Sequence, residues 1–408
     1  MILAGQLLLN DDPCAARIAP GYVRVEGDTI AEVVVGEVPA SADAGGPHAL
    51  VSPGLVDAHL HLPQFDTMGA HGLPLLEWLE GATFPAERRW EDPDFARSMT
   101  QRVVDQLFAH GTTAVCAYAT VHHEGALAAL ETAAERGLRG VIGQVLMDRE
   151  APGFLCRDAE ESIAGTARLL DLFPPGGRLA AAVTPRFAIT CTPELLAQAG
   201  GLAAERNATV QTHLAETVAE CQFVERLFGE ASYTQVYDQA GLLTPRSVMG
   251  HGIHLSDEDR RLLKDRGSII AHCPTANSFL RSGAMDRRAL LGAECPMVLG
   301  SDIGAGYERS MVRVARAMVE TASALGEGYP SAAEAWRQIT AGTSETLGWS
   351  DAGFLKPGAP ADLLLVEPDI DWLGGRVDPL AMLLFAWDDR WLRRTYARGE
   401  LVYGSDAS

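Results

Sequence analysis

The chain has 408 residues, 47% of them apolar or aromatic, and a net charge of −21. That length suits one large domain plus a smaller one, because single cores stop growing near about 250–300 residues. The acidity excludes a reader of nucleic-acid backbones, which needs a basic patch, and otherwise reports solubility.

No apolar run approaches the roughly 18 residues of a bilayer crossing, so no membrane partner is expected. The opening MILAGQLLLNDD reads as a strand, without the basic n-region of a secretory signal. Seven scattered cysteines, none in a C-x-x-C pair, point to a reducing compartment and a cytoplasmic location.

In chain order, residues 1–52 read as short strands with Gly/Pro turns, ILAGQLLL and then YVRVEGDTIAEVVVG. Residues 353–408 read the same way, so the two ends are expected to pair into one small β-sandwich domain. Between them, residues 53–352 alternate short apolar strands with helical stretches. Strands are predicted at 55–61, 113–119, 140–147, 180–187, 208–216, 247–252, 268–274 and 297–302. Helices such as 94–111 and 160–173 separate them. Eight β/α alternations predict an α/β fold of the (β/α)8 TIM-barrel type.

Such barrels do their chemistry at the C-terminal ends of the strands. Polar residues at those ends are therefore informative. The first predicted strand ends in His59-Leu60-His61, the fifth in His213 three residues before Glu216, the sixth in His251, the seventh in His272 and the eighth in Asp302. Residues i and i+2 of a strand share a face, so both imidazoles of an H-x-H can reach one ion. His59, His61, His213 and Asp302 supply three nitrogens and an oxygen, a set that suits zinc with a position left for water. Imidazole and carboxylate also suit iron. An H-x-H alone is a weak signal; the partners at the later strand ends are what packing does not explain. Asp57 reads as a second-layer or strand-end hydrogen-bond partner, and His272 as a loop anchor or a substrate contact. His254, His71, His110, His122 and His123 read as structural or surface residues.

Only two residues are lysine, Lys264 and Lys356, and neither falls at a strand end. A lysine-bridged metal pair is therefore not available, and one metal per subunit is expected. The fourth predicted strand ends instead in Thr184-Pro185-Arg186-Phe187.

Taken together, PGLVDAHLH (53–61), His213, MGHGIHLS (249–256), AHCPTAN (271–277), GSDIGAG (300–306) and PGAPADLLLVE (357–367) resemble the amidohydrolase superfamily in its metal-dependent deaminase branch. HLHLPQ (59–64), LLEWLEGATFPAE (75–87), TPRF (184–187), HLAE (213–216) and YTQVYDQAGLL (233–243) are similar to members that act on guanine. Thr275-Ala276 and the run Asp302-Ile-Gly-Ala-Gly depart from the branch's usual residues and bear on substrate selectivity.

The resemblance implies hydrolytic loss of an amino group from a purine ring, with zinc lowering the pKa of a water toward about 7. It implies Glu216 as the group that protonates the ring nitrogen and Asp302 as the acceptor of the water proton. It implies His251 as the hydrogen-bond partner of the attacking water, with a fifth metal ligand as the alternative. Gln64, Arg186, Phe187, Trp78, His213 and Glu216 are the implied substrate contacts: Arg186 offers a planar fork of donors to the ring carbonyl, Phe187 or Trp78 a flat apolar wall, and Gln64 an amide that can both donate and accept. A pterin or other 2-amino heterocycle is the alternative substrate, and cyclic-amide hydrolysis the alternative reaction. A homodimer is implied in the same way.

Overall fold

The computed structural model describes residues 1–404, apart from positions 74, 230 and 327 and the side chain at 76. The N-terminal segment forms strands β1 (Ile2–Leu9), β2 (Arg17–Glu26), β3 (Thr29–Val35) and β4 (Ala44–Pro53). Eight parallel strands follow: β5 (Leu55–His61), β6 (Thr112–Tyr118), β7 (Arg139–Leu146), β8 (Leu179–Pro185), β9 (Val210–Leu214), β10 (Ser247–His251), β11 (Ile269–His272) and β12 (Met297–Leu299). They lie in sequence order in one eight-stranded sheet. All eight predicted strands are present, each within a few residues of its expected bounds.

These strands are buried along their whole length, as expected where helices cover a parallel sheet. The helices follow local signals. Thr192 caps Pro193–Arg206 with proline in the first turn, and Ser256 with Asp259 makes a capping box for Asp257–Arg266, which ends on the left-handed Gly267. The first and eighth strands are joined across the barrel's seam. Asp302 N–H donates to His59 O at 2.7 Å, and His61 N–H donates to Ile303 O at 2.9 Å.

The C-terminal strands β13 (Leu363–Val366), β14 (Leu392–Ala397) and β15 (Glu400–Gly404) join the N-terminal ones in a single sheet of order β15-β14-β13-β4-β1-β2-β3. Alternate residues build its core: Leu3 and Leu7 of β1, Val23 and Val25 of β2, Leu363 and Leu365 of β13 and Tyr396 of β14 pack in one cluster. β2 and β14 are four places apart in the strand order, so the sheet curls for them to share a core. The turn before β3 fastens this curl, since Ile30 N–H donates to Ala359 O and Ala361 N–H donates to Asp28 O.

Contacts group the chain into two compact units. One contains Met1–Asp57, Val104–Ala114 and the residues from Arg309 onward; the other contains Ala58–Val103 and Val115–Glu308. No helix among the described residues is long and apolar enough to cross a membrane.

Leu7 is fully buried in the terminal sheet. Leu7→Ala is expected to lower stability by about 2–5 kcal/mol through lost burial and a residual cavity. A urea titration checks this, and a loss below about 0.5 kcal/mol contradicts the packing described.

Candidate active site

Parallel strands bring their C-terminal ends to one mouth of the barrel, and there the strand-end residues meet. His59 and His61 share a face of β5. Their Nε2 atoms both lie 3.4 Å from Asp302 Oδ1, just beyond β12. His61 Nε2 is 3.0 Å from His213 Nε2 at the end of β9. His213 Nδ1 faces the carbonyl of Arg186 at 2.6 Å. A carbonyl only accepts, so Nδ1 carries the proton and Nε2 keeps the lone pair directed at His61. Two glycines make room for His59: a Cβ at Gly250 would stand 2.7 Å from its Cε1, and one at Gly300 would stand 2.6 Å from its Cβ.

The backbone is strained where these strands turn outward. Ala215, His251 and Asp302 have φ of 50°, 72° and 53°, the left-handed region that non-glycine residues rarely adopt. Such residues cost about 1–3 kcal/mol each and persist where the surroundings over-determine them. Here Ile253 N–H and His254 N–H both donate to Ala215 O, and Gly306 N–H donates to Asp302 O at 2.6 Å.

Burial, with repulsion from neighbouring imidazoles, holds His59, His61 and His213 well below the usual histidine range. All three are therefore neutral nitrogen donors at neutral pH. Burial pushes Asp302 up to about 6, against the pull of His251 and Arg186. His59, His61 and His213 offer ligand atoms within 4.8 Å of one another, as do His59, His251 and Asp302. Asp302 Oδ1 is buried and accepts no hydrogen bond from the described residues. Neutral imidazoles facing one another beside an unsatisfied carboxylate oxygen fit a divalent cation, which would satisfy all of them together.

Two more titratable groups complete the mouth. Glu216, buried just past β9, has Oε1 accepting from the Ser282 hydroxyl at 2.6 Å, and its Oε2 lies 3.4 Å from His251 Nε2. Burial raises its pKa, offset in part by His251. Burial alone would lower His251, but the Glu216 and Asp302 carboxylates and the Asn277 side chain outweigh it and raise the imidazole. His251 Nδ1 is 2.9 Å from Asn277 Oδ1, so Nδ1 donates to that carbonyl oxygen. Its Nε2 is left between two carboxylates, with Asp302 Oδ2 at 4.0 Å.

A small cleft opens onto this cluster. Gln64, Trp78, Arg186, Phe187, His213 and Glu216 all line it. The structure therefore brings together these six residues, whereas His272, the other candidate for substrate contact, is not among them. The other histidines lie apart from it. His272 is buried and held near a pKa of about 3 by that burial, away from the cleft lining. His254 Nε2 sits 2.9 Å from Ser282 O, behind the serine that holds Glu216. His122 and His123 line a separate polar recess with Arg157 and Gln144. Lys264 pairs with Glu294 at the surface.

Sequence reasoning missed several supporting groups. Tyr118 ends β6 with its ring centroid 5.0 Å from His59, 4.5 Å from His61 and 4.9 Å from His213. Its place at a strand end was the available signal, but a tyrosine there reads as core. Glu220 caps the turn after Glu216 by accepting from the Glu216 and Thr217 N–H groups and from the Tyr233 hydroxyl. Tyr237 donates to His213 O at 2.8 Å, so the YTQVYDQ helix braces the end of β9. Glu87 had no signal beyond its place in the 75–87 motif.

Three imidazoles and a carboxylate converging at the mouth of a parallel β/α barrel are the architecture of barrel hydrolases that work with a metal ion. The chain belongs to the Amidohydrolase family, whose model matches residues 50–402. It is similar to guanine deaminase of Escherichia coli (strain K12), 37% identical over 365 residues that cover 87% of this chain and 83% of that protein. The solved structure of E. coli guanine deaminase aligns with a TM-score of 0.92 at 33% identity, covering 99% of this chain and 100% of that one. Guanine deaminase from C. acetobutylicum, solved with guanine bound in the active site, aligns with a TM-score of 0.90 at 27% identity, covering 98% of this chain and 99% of that one.

The site's pH dependence follows from Asp302. Any cation held by Asp302 would need its carboxylate ionised, and protons compete for that group as the pH falls through about 6. The three imidazoles, whose pKa values lie well below the ordinary 6.5, add no competition in that range. Affinity for a divalent cation, with zinc as the probe and measured against a competing chelator, is expected to stay level from pH 8 to 7 and to fall by about tenfold per unit below 6. Affinity unchanged down to pH 5 contradicts this.

Proposed function

We propose that the protein removes the amino group of guanine by hydrolysis, releasing xanthine and ammonia, with one zinc ion held by His59, His61, His213 and Asp302. The observation that carries this reading is the cleft itself, where Arg186 and Gln64 form a polar edge on the same cavity as Glu216 and the histidine cluster. The similarity to proteins named guanine deaminase supports guanine as the ring. The lack of a lysine near the mouth supports a single metal.

When bound, zinc would supply a water of lowered pKa and polarise the reacting centre. The chain's own residues do the rest. Arg186 donates to the C6 carbonyl, and Phe187 or Trp78 gives the flat ring an apolar wall. Phe187 is itself set edge-on to His213, with ring centroids 6.4 Å apart.

The reaction at C2 needs a proton on the adjacent ring nitrogen. Glu216 has a raised pKa, and Ser282 engages one of its oxygens, leaving the other to carry that proton. His251 Nε2, between two carboxylates, donates a hydrogen bond to the attacking oxygen. Its raised pKa supports this donor role over that of a fifth ligand. Asp302 accepts one water proton and passes it to the amine as the C2–N bond breaks, and the proton left on the C2 hydroxyl returns to Glu216 as the carbonyl forms.

We further take the protein to be a cytoplasmic homodimer with a small purine substrate and no nucleic-acid partner. The free state of all seven cysteines supports the compartment, the net charge of −21 supports the last point, and the family resemblance supports the dimer.

Ammonia release by the zinc-loaded protein tests the substrate, with kcat/KM compared for guanine, a pterin and cytosine. Guanine is expected to lead. A pterin turned over a hundredfold better, or ring opening without ammonia, would sink the proposal. Glu216→Gln is expected to keep its zinc and lose about 10²–10⁴-fold in kcat, the usual worth of a positioned acid. Full activity in that variant contradicts the role of Glu216.

A further inference from the structure

The run Leu75–Arg88 is helical throughout, as one α-turn, a π-helical turn at Leu79–Thr83 and a second α-turn at Phe84–Arg88. Its first half puts Leu75, Trp78 and Leu79 on the cleft wall. Its second half buries Glu87, only 1% exposed, behind the wall and outside the cleft lining. One carboxylate oxygen of Glu87 accepts from Arg186 Nη1 at 2.6 Å and from Gln64 Nε2 at 2.9 Å. These two partners are polar residues of the cleft lining, held by a group that does not itself line it.

The chemistry of that arrangement is directional. A carboxylate accepts and does not donate. The Gln64 amide must therefore turn its NH2 toward Glu87, which leaves Oε1 as the atom free for a ligand. Gln64 Oε1 is buried and accepts no hydrogen bond from the described residues. The guanidinium is likewise anchored by one nitrogen, and Glu87 balances its buried charge. The cleft then offers a donor from Arg186 beside an acceptor from Gln64, with little net charge. That pattern complements a neutral lactam edge, a ring carbonyl next to a ring N–H.

We propose that Glu87 is a positioning residue that sets the lactam specificity of the cleft by fixing the Gln64 amide and the Arg186 guanidinium. This rests on the purine-ring reading of the site. With Glu87 gone, the amide is free to turn its NH2 toward the ligand, and a ring lacking the carbonyl is no longer penalised.

Equilibrium binding to the zinc-loaded full chain tests this without turnover. Hypoxanthine carries the lactam edge but no amine at C2, and purine lacks the carbonyl. The wild type is expected to favour hypoxanthine over purine by at least about thirtyfold, since a site built to hydrogen-bond a group rejects ligands without it. Glu87→Gln can face Gln64 with either amide atom, and its preference is expected to fall below about fivefold with zinc content retained. Should Glu87→Gln fail to fold beside the buried Arg186, Glu87→Asp decides. It keeps the charge but is one methylene too short to hold both partners, and its preference is expected to drop at least about fivefold. A wild-type ratio in the folded variants, or equal weakening of both ligands, overturns the role of Glu87. Wild type that binds both purines without preference also overturns it. Wild type that binds neither overturns the purine-ring reading, and the inference with it.

Discussion

Three imidazoles and a carboxylate, each almost wholly removed from water, point their donor atoms at one another at the mouth of the barrel. His61 and His213 meet lone pair to nitrogen at 3.0 Å, and Asp302 Oδ1 stands 3.4 Å from two more nitrogens. Such a cluster is costly unless a cation lies among its members, because each would otherwise be desolvated without compensation. Much else serves to hold it. Gly250 and Gly300 clear the space around His59. The Arg186 carbonyl selects the tautomer of His213. The left-handed turns at His251 and Asp302 send the strands outward once their side chains are in place.

The same constraint divides labour among the carboxylates. Asp302 and Glu216 are both buried and both raised, yet they are held differently. Asp302 keeps an oxygen without a hydrogen bond beside the imidazoles, whereas Glu216 is gripped by Ser282 and turned toward His251. Under the proposed mechanism it is environment, not residue type, that would set Asp302 beside the ion and its water and Glu216 at the ring nitrogen. A second line of support sits behind the first: Glu220, Tyr233 and Tyr237 pin the end of β9 through backbone and hydroxyl hydrogen bonds. Such outer contacts fix the orientation of the groups that do the chemistry.

What was legible in the sequence follows from strand geometry. Short apolar runs between helical stretches, and the ends of those runs, are local features, so the eight strands and His59, His61, His213, His251 and Asp302 could be located without long-range contacts. Gln64, Arg186, Phe187 and Trp78 were legible through chemistry that suits a purine edge and through motif resemblance. Glu87 was not. Along the helical run 75–88 it looks no different from Glu77 and Glu80, and only folding buries it while leaving those two exposed. Ser282 and Asn277 were equally hidden, since their partners Glu216 and His251 lie 66 and 26 residues away. Tyr118 stands at a strand end, where an aromatic ring suits core and site equally, so its position alone does not mark it.

The central claim is that this cluster holds a single ion through His59 and its three partners. Elemental analysis of the protein, purified without chelator, tests it most directly when wild type and His59→Ala are measured side by side. The account predicts about one zinc per chain in the wild type and close to none in the variant. Two ions per wild-type chain, or a variant that keeps its zinc, would contradict it.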